Sequence, residues 1–200
     1  FVSLLSGRCS VIAFEPSQRN FALLEKNVSH LRPATVVAVQ AAVCDHDGEV
    51  EFSDNVEHGG LSRLTSCDAD KDKAREMLWT RTAVTRVRAV QLDRFLATDH
   101  EDFAPSFVKI DVEGAAGYVL AGAEAMLAKH HPLIHCSFHY ALEVNAVLRA
   151  LQRHGYQGLR FSGARLERCT VAESSGYFVH PADPRLTRLG LQTDTTARPG

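Results

Sequence analysis

With 200 residues, 45% of them hydrophobic and 23% charged, the chain has the composition of one globular domain with a sizeable core. A formal net charge of -2 excludes the broad basic footprint of a nucleic-acid or anionic-membrane binder. No apolar run approaches the roughly 18–20 residues that span a bilayer. The five cysteines, Cys9, Cys44, Cys67, Cys136 and Cys169, are odd in number, widely spaced and never paired as CxxC. That pattern argues against a disulfide framework and a zinc knuckle, and points to the reducing cytosol.

In chain order, Val11-Ile12-Ala13-Phe14 is a short apolar run closed by Glu15-Pro16, which reads as a buried strand. Ser17 is placed to cap a helix with Phe21, Leu24, Val28 and Leu31 on one face, and Pro33 ends it. The glycosylation triplet Asn27-Val28-Ser29 falls inside that helix and reads as a chance match. Thr35 to Val39 is the next strand, so strand, helix and strand form a βαβ unit. Asp47-Gly48 is a hairpin signal ahead of a strand carrying Val50 and Phe52. Ser53 to Thr85 is a polar excursion, with a Gly59-Gly60 turn and a short helix near Lys71 to Leu78. Val84 to Val90 alternates as a strand and leads into a turn of helix at Leu92 to Leu96.

Phe107 to Asp111 is a further strand, followed by the loop Val112-Glu113-Gly114 and a helix expected from Ala116 to Lys129. Leu133 to His139 is a strand, Leu142 to His154 a helix stopped by Gly155, and Gly158 to Phe161 with Gly176 to His180 an antiparallel terminal pair. The expected fold class is α/β: a Rossmann-like, doubly wound and mainly parallel sheet with helices on both faces. Residues 1–182 form that domain, and 183–200 are expected to be a loose tail.

Ligands of such sheets sit beyond the carboxyl ends of the strands. That rule singles out Glu15, the segment after Val39, Asp111 to Gly114, and His139. A carboxylate at Glu15 suits a ribose diol, or else caps the following helix. Asp111 and Glu113 flank one turn, where paired acids can hold a cation, share a proton or orient a hydroxyl, or simply be solvated and cap the next helix. A histidine at 139 suits a general base, because imidazole titrates near neutral pH. The run His130, His131, His135, Cys136 and His139 has metal-binding residue types, but four residues of strand span about 13 Å, too far for His135 and His139 to share one ion. No metal site is expected there.

Phe14-Glu15-Pro16 with Asn20, Ala42-Val43-Cys44-Asp45 with Gly48, Gly60-Leu61-Ser62, Leu92-Asp93, and above all Lys109-Ile110-Asp111-Val112-Glu113-Gly114 with Val119-Leu120 and Gly122-Ala123 resemble the FkbM-type methyltransferases. The resemblance runs from about Val11 to His139. It implies transfer of the methyl group of S-adenosylmethionine to a hydroxyl oxygen, on a sugar or polyketide-like small molecule or glycan. By that resemblance Glu15 binds the cofactor ribose, Gln40, Ala41, Ala42 and Val43 lie against adenine, and Asp111 and Glu113 face the methyl group or the acceptor. Three departures stand out. The glycine-rich strand that opens the family is absent, with Phe1 to Ser6 resembling only the helix that would follow it, Ala116 stands where many members carry Glu, and Ser137 stands where Glu often precedes the final His. Competing readings are a non-catalytic Rossmann-like binding domain, favoured by the missing strand and by Ala116, and an NAD-dependent oxidoreductase, whose GxGxxG signature would lie before Phe1 and which the Asp111-Val112-Glu113-Gly114 block does not support.

Overall fold

The computed structural model describes residues 9–29, 35–55, 62–65, 82–162, 165–168, 175–183 and 185–188. The expected helix near 71–78 and the Gly59-Gly60 turn lie outside them. The chain folds as α/β. Strand β1 (Ser10–Phe14), helix α1 (Gln18–Ser29) and strand β2 (Thr35–Val39) form the first βαβ unit, with β1 and β2 parallel and Phe14 opposite Val39. The main-chain carbonyl of Ser17 accepts the Phe21 N–H at 2.8 Å, which opens the first turn of α1.

Next come β3 (Ala42–Cys44), β4 (Gly48–Asn55), β5 (Arg63–Leu64), β6 (Thr82–Gln91) and helix α2 (Leu92–Asp99). The sheet order here is β3-β6-β4-β5. Asp47-Gly48 therefore does not close a hairpin, contrary to the local signal. Strand β6 inserts between β3 and β4, parallel to the first and antiparallel to the second. The Asp47 carboxylate, free of a tight turn, accepts the Gln91 N–H at 2.8 Å and pairs with Arg94 at 3.2 Å.

The remainder is β7 (Phe107–Ile110), helices α3 (Ala116–Ala121) and α4 (Glu124–His130), β8 (Leu133–Ser137), α5 (Ala141–Arg153), β9 (Gln157–Ser162), β10 (Arg165–Arg168), β11 (Ser175–Val179) and the short helix α6 (Arg185–Arg188). Its sheet order is β10-β9-β11-β8-β7. The described strands thus make three sheets, the β1-β2 pair parallel and the other two mixed, where one mainly parallel sheet was expected. Packing continues past residue 182 among the described residues. Asp183 is buried and holds Arg185, whose guanidinium donates to the Ser106 carbonyl at 2.8 Å, and Leu186 packs under β11. Among the described residues no helix is long and apolar enough to cross a membrane.

One core joins the units. Leu120, Leu127, Ile134 and Leu151 are fully buried, and Ile12, Phe14 and Val39 of the first unit pack against the same cluster. Each such Leu or Ile contributes about 1.5–3 kcal/mol.

The helix expected over 116–129 is two helices, broken at Gly122-Ala123. The cause is tertiary. The Cys44 carbonyl oxygen lies 2.0 Å from where a Cβ on Gly122 would stand. Asp93 then fastens the break. Its N–H donates to the Gly122 carbonyl at 2.8 Å, and its carboxylate accepts the Ala125 and Met126 N–H groups at 2.7 and 2.8 Å, capping α4.

Beyond β11, the His180 ring stacks on His131 with centroids 3.8 Å apart, meets Tyr156 edge-on, and accepts the Ala182 N–H at Nδ1, 3.1 Å away. Burial first, then the charge of His131, holds the His180 pKa below its ordinary 6.5, against the opposing pull of Asp183. A histidine lowered in the fold stabilises fully above its unfolded pKa, and that share is lost as pH falls toward the folded one. His130 and His135, also lowered chiefly by burial, act in the same sense. We expect the melting temperature to fall between about pH 7.5 and about pH 5.5, and to fall less in His180→Phe, which keeps a ring in the stack without a titrating group. Thermal melts of both proteins at the two pH values check this; equal drops would remove His180 as a source.

Candidate active site

Strands β7 and β8 are parallel neighbours, with Ile110 opposite Cys136, so the residues just past their carboxyl ends meet. Asp111 and His139 occupy those ends. The His139 Nε2 lies 3.0 Å from Asp111 Oδ1, and its Nδ1 lies 3.2 Å from Glu113 Oε1. The imidazole therefore bridges both carboxylates that the sequence singled out.

The turn between β7 and α3 aims Glu113. Ala115 N–H donates to the Val112 carbonyl at 3.2 Å, and Glu113 and Gly114 sit at φ +44° and +94°. Two consecutive positive φ values follow the type I′ sign pattern, which costs a non-glycine residue about 1–2 kcal/mol. Gly114 takes its share without a Cβ penalty, and the Glu113 contact with His139 offsets part of the rest.

Asp111 is also held by Lys109, two residues back on the same strand face, at 2.6 Å. Burial pushes the Asp111 carboxyl up, but the hydrogen bonds and charges of Lys109 and His139 outweigh it and leave it below the ordinary carboxylate value. Asp111 is thus an ionised acceptor that orients its neighbours rather than a group that takes up a proton near neutrality.

One site residue escaped the sequence reading. Glu143, in the first turn of α5, is buried, and its carboxylate accepts the Ala116 N–H at 3.2 Å and the His139 N–H at 2.9 Å. It ties the loop after β7 to the loop after β8. The signal was faint: an acidic residue four positions after His139 on a helix that otherwise reads as amphipathic.

At the other strand ends, Glu15 N–H donates to the Val39 carbonyl at 3.1 Å, which brings Glu15 and Gln40 side by side. Glu15 Oε1 accepts the Ser17 N–H at 2.8 Å, so the carboxylate caps the chain's entry into α1. Burial pushes the Glu15 carboxyl above its ordinary 4.5, and Asp54 adds to this against hydrogen bonds from Ser17 and Asn20. Ser17 Oγ and Ser62 Oγ in turn donate to the two Asp54 oxygens, each at 2.8 Å. Gln40 is exposed, Ala41 and Ala42 are buried, and Val43 is half-buried against the main core. Side-chain access in this segment therefore rests with Gln40. Ala116 is fully buried, while Ser137 ends β8 half-buried.

The Methyltransferase FkbM domain family matches residues 1–157 of the 200. The chain belongs to that family. The crystal structure of methyltransferase FkbM from Methylobacillus flagellatus KT is similar to this FkbM domain, with a TM-score of 0.53 and 18% sequence identity over 84% of this chain. At that identity the likeness speaks for the fold alone. The FkbM domain described here spans 36% of that protein's length. No curated protein matches the chain.

Proposed function

We propose that this FkbM-family domain is an S-adenosylmethionine-dependent O-methyltransferase, acting on a hydroxyl of a sugar or polyketide-like small molecule or glycan in the cytosol, and that its three sheets are parts of one doubly wound architecture with an antiparallel edge. The observation that carries the reading is the Asp111–His139–Glu113 bridge at two adjacent strand ends. When bound, the cofactor would supply a sulfonium-activated methyl group, transferred in line to the acceptor oxygen as its C–S bond breaks and the thioether, S-adenosylhomocysteine, leaves.

The residues present fit such a cofactor. A half-buried carboxylate at Glu15 beside the exposed amide of Gln40 suits a ribose diol and the polar edge of a base. Glu15 uses Oε1 for Ser17 and has further acceptor capacity, because an ionised carboxylate offers about four lone-pair sites.

The protein's part is alignment and removal of one proton. Neutral imidazole carries one N–H and one acceptor nitrogen. With the N–H at Nδ1 donated to Glu113, Nε2 takes a proton once the acceptor hydroxyl stands between it and Asp111, the ionised carboxylate 3.0 Å away that Lys109 holds. As the hydroxyl attacks, its proton passes to Nε2. Glu113 and Asp111 then stabilise the imidazolium, and Glu143 keeps the His139 backbone in place.

The test is cofactor binding. Glu15→Gln keeps the shape but removes the charge that strengthens bonds to the diol, worth roughly 1.5–3 kcal/mol. Affinity for S-adenosylhomocysteine should then fall about tenfold to a hundredfold. Isothermal calorimetry on the parent and the variant measures it. Absence of binding to the parent would sink the reading as a whole, and equal affinities would leave Glu15 as a helix cap only.

A further inference from the structure

We propose that Cys44, Asp45 and His46 form a binding site for a thiophilic divalent cation of the zinc type, separate from the Asp111–His139–Glu113 cluster. One ligand atom from each of these three residues lies within 4.8 Å of the other two. Cys44 Sγ is 3.2 Å from Asp45 Oδ1 and 3.7 Å from His46 Nδ1, and that nitrogen is 2.7 Å from the same Asp45 oxygen. Bonds of about 2.0–2.3 Å to a tetrahedral zinc place such donors about 3.4–3.6 Å apart. Both sulfur edges are close to that range. The Asp45–His46 edge is a hydrogen bond that must open by about 0.7 Å to admit an ion. The three donors thus mark one triangular face of a tetrahedron, leaving the fourth position for water or an outside ligand.

The frame that carries them is held on several sides. Cys44 ends β3, its side chain is buried, and its carbonyl rests on the Gly122 backbone. On the far side Asp47 is committed to the Gln91 N–H and to Arg94. Asp45 and His46 are exposed, so an ion can reach the thiol through them. The donor set selects the cation: one thiolate, one imidazole and one carboxylate suit zinc-like ions and not the hard, all-oxygen preference of magnesium or calcium. On binding, three metal–ligand bonds form. The thiol proton leaves to solvent and the imidazole keeps its proton on Nε2. No oxidation or reduction takes place.

Cobalt(II) is the probe, because a thiolate–cobalt bond absorbs in the near ultraviolet and a tetrahedral cobalt site gives intense visible bands. Titration of the full chain should saturate at one equivalent with both signatures, and zinc should displace the cobalt. His46→Ala removes an exposed ring and should leave the thermal melt unchanged while weakening cobalt binding about a hundredfold or more. Cys44→Ser should abolish the thiolate band. Three results overturn the proposal: no thiolate band at one equivalent in the folded parent, a band that survives in Cys44→Ser, or unchanged affinity in His46→Ala. The last does not depend on how well the buried Cys44 variant folds.

Discussion

Replacing His139 with alanine is expected to lower methyl-transfer turnover by roughly a hundredfold or more while leaving cofactor affinity nearly unchanged. The ring touches both carboxylates of the cluster, through Nε2 to Asp111 and Nδ1 to Glu113. Removing it takes away the proton acceptor and leaves two acids facing each other across the gap. Glu113→Gln should cost less, about tenfold, because the amide can still accept a hydrogen bond from Nδ1 but no longer stabilises the imidazolium. Formation of S-adenosylhomocysteine with a panel of hydroxylated acceptors, read beside calorimetric cofactor affinity, separates the two roles. If His139→Ala keeps full turnover while Glu113→Gln loses it, the base is the carboxylate. If neither substitution matters, this edge of the sheet aligns the acceptor and nothing more.

Gly122→Ala is expected to produce the largest loss of stability from a single methyl group. A Cβ at that position would stand 2.0 Å from the Cys44 carbonyl oxygen and 3.0 Å from its carbon, both of them backbone atoms that cannot rotate away. Either β3 shifts or the α3–α4 break does. The break is fixed by Asp93 through three hydrogen bonds, to the Gly122 carbonyl and the Ala125 and Met126 N–H groups, so neither side yields cheaply. Overpacking of this kind costs about 3 kcal/mol. In a chain of this size that lowers the melting temperature by about 6–12 °C. Differential scanning calorimetry of parent and variant gives the number; a variant melting within about 2 °C of the parent would mean that the two backbones do not approach this closely.

Much of the fold was legible because the signals behind it are local. A short β-branched run closed by Glu15-Pro16 specifies a strand wherever it sits, and the spacing of Phe21, Leu24 and Val28 specifies a half-buried helix. The central site was legible for the same reason. Two parallel strands next to each other bring whatever follows their ends together, so Asp111, Glu113 and His139 could be named as a group from strand ends alone. The segment after Val39 follows a strand end, as its position in the chain implied, but burial of Ala42 beside Ala89 of β6 depends on a strand some fifty residues later and could not be read locally.

The sequence by itself therefore determined the α/β class and the placing of three residues at the β7 and β8 ends, since periodicity, turn residues and strand-end chemistry act over a few positions, and its motifs carried the resemblance to the family. Only the tertiary structure decided the rest. It inserted β6 between β3 and β4, so Asp47-Gly48 makes no hairpin. It broke one periodic helix into two where a distant carbonyl meets Gly122. It packed Leu186 against Leu159 and Val179, and it brought Glu143 from α5 to hold two loops of the candidate site. Each of these depends on contacts between residues far apart in the chain, and the energy of such a contact is written in neither partner's own neighbourhood.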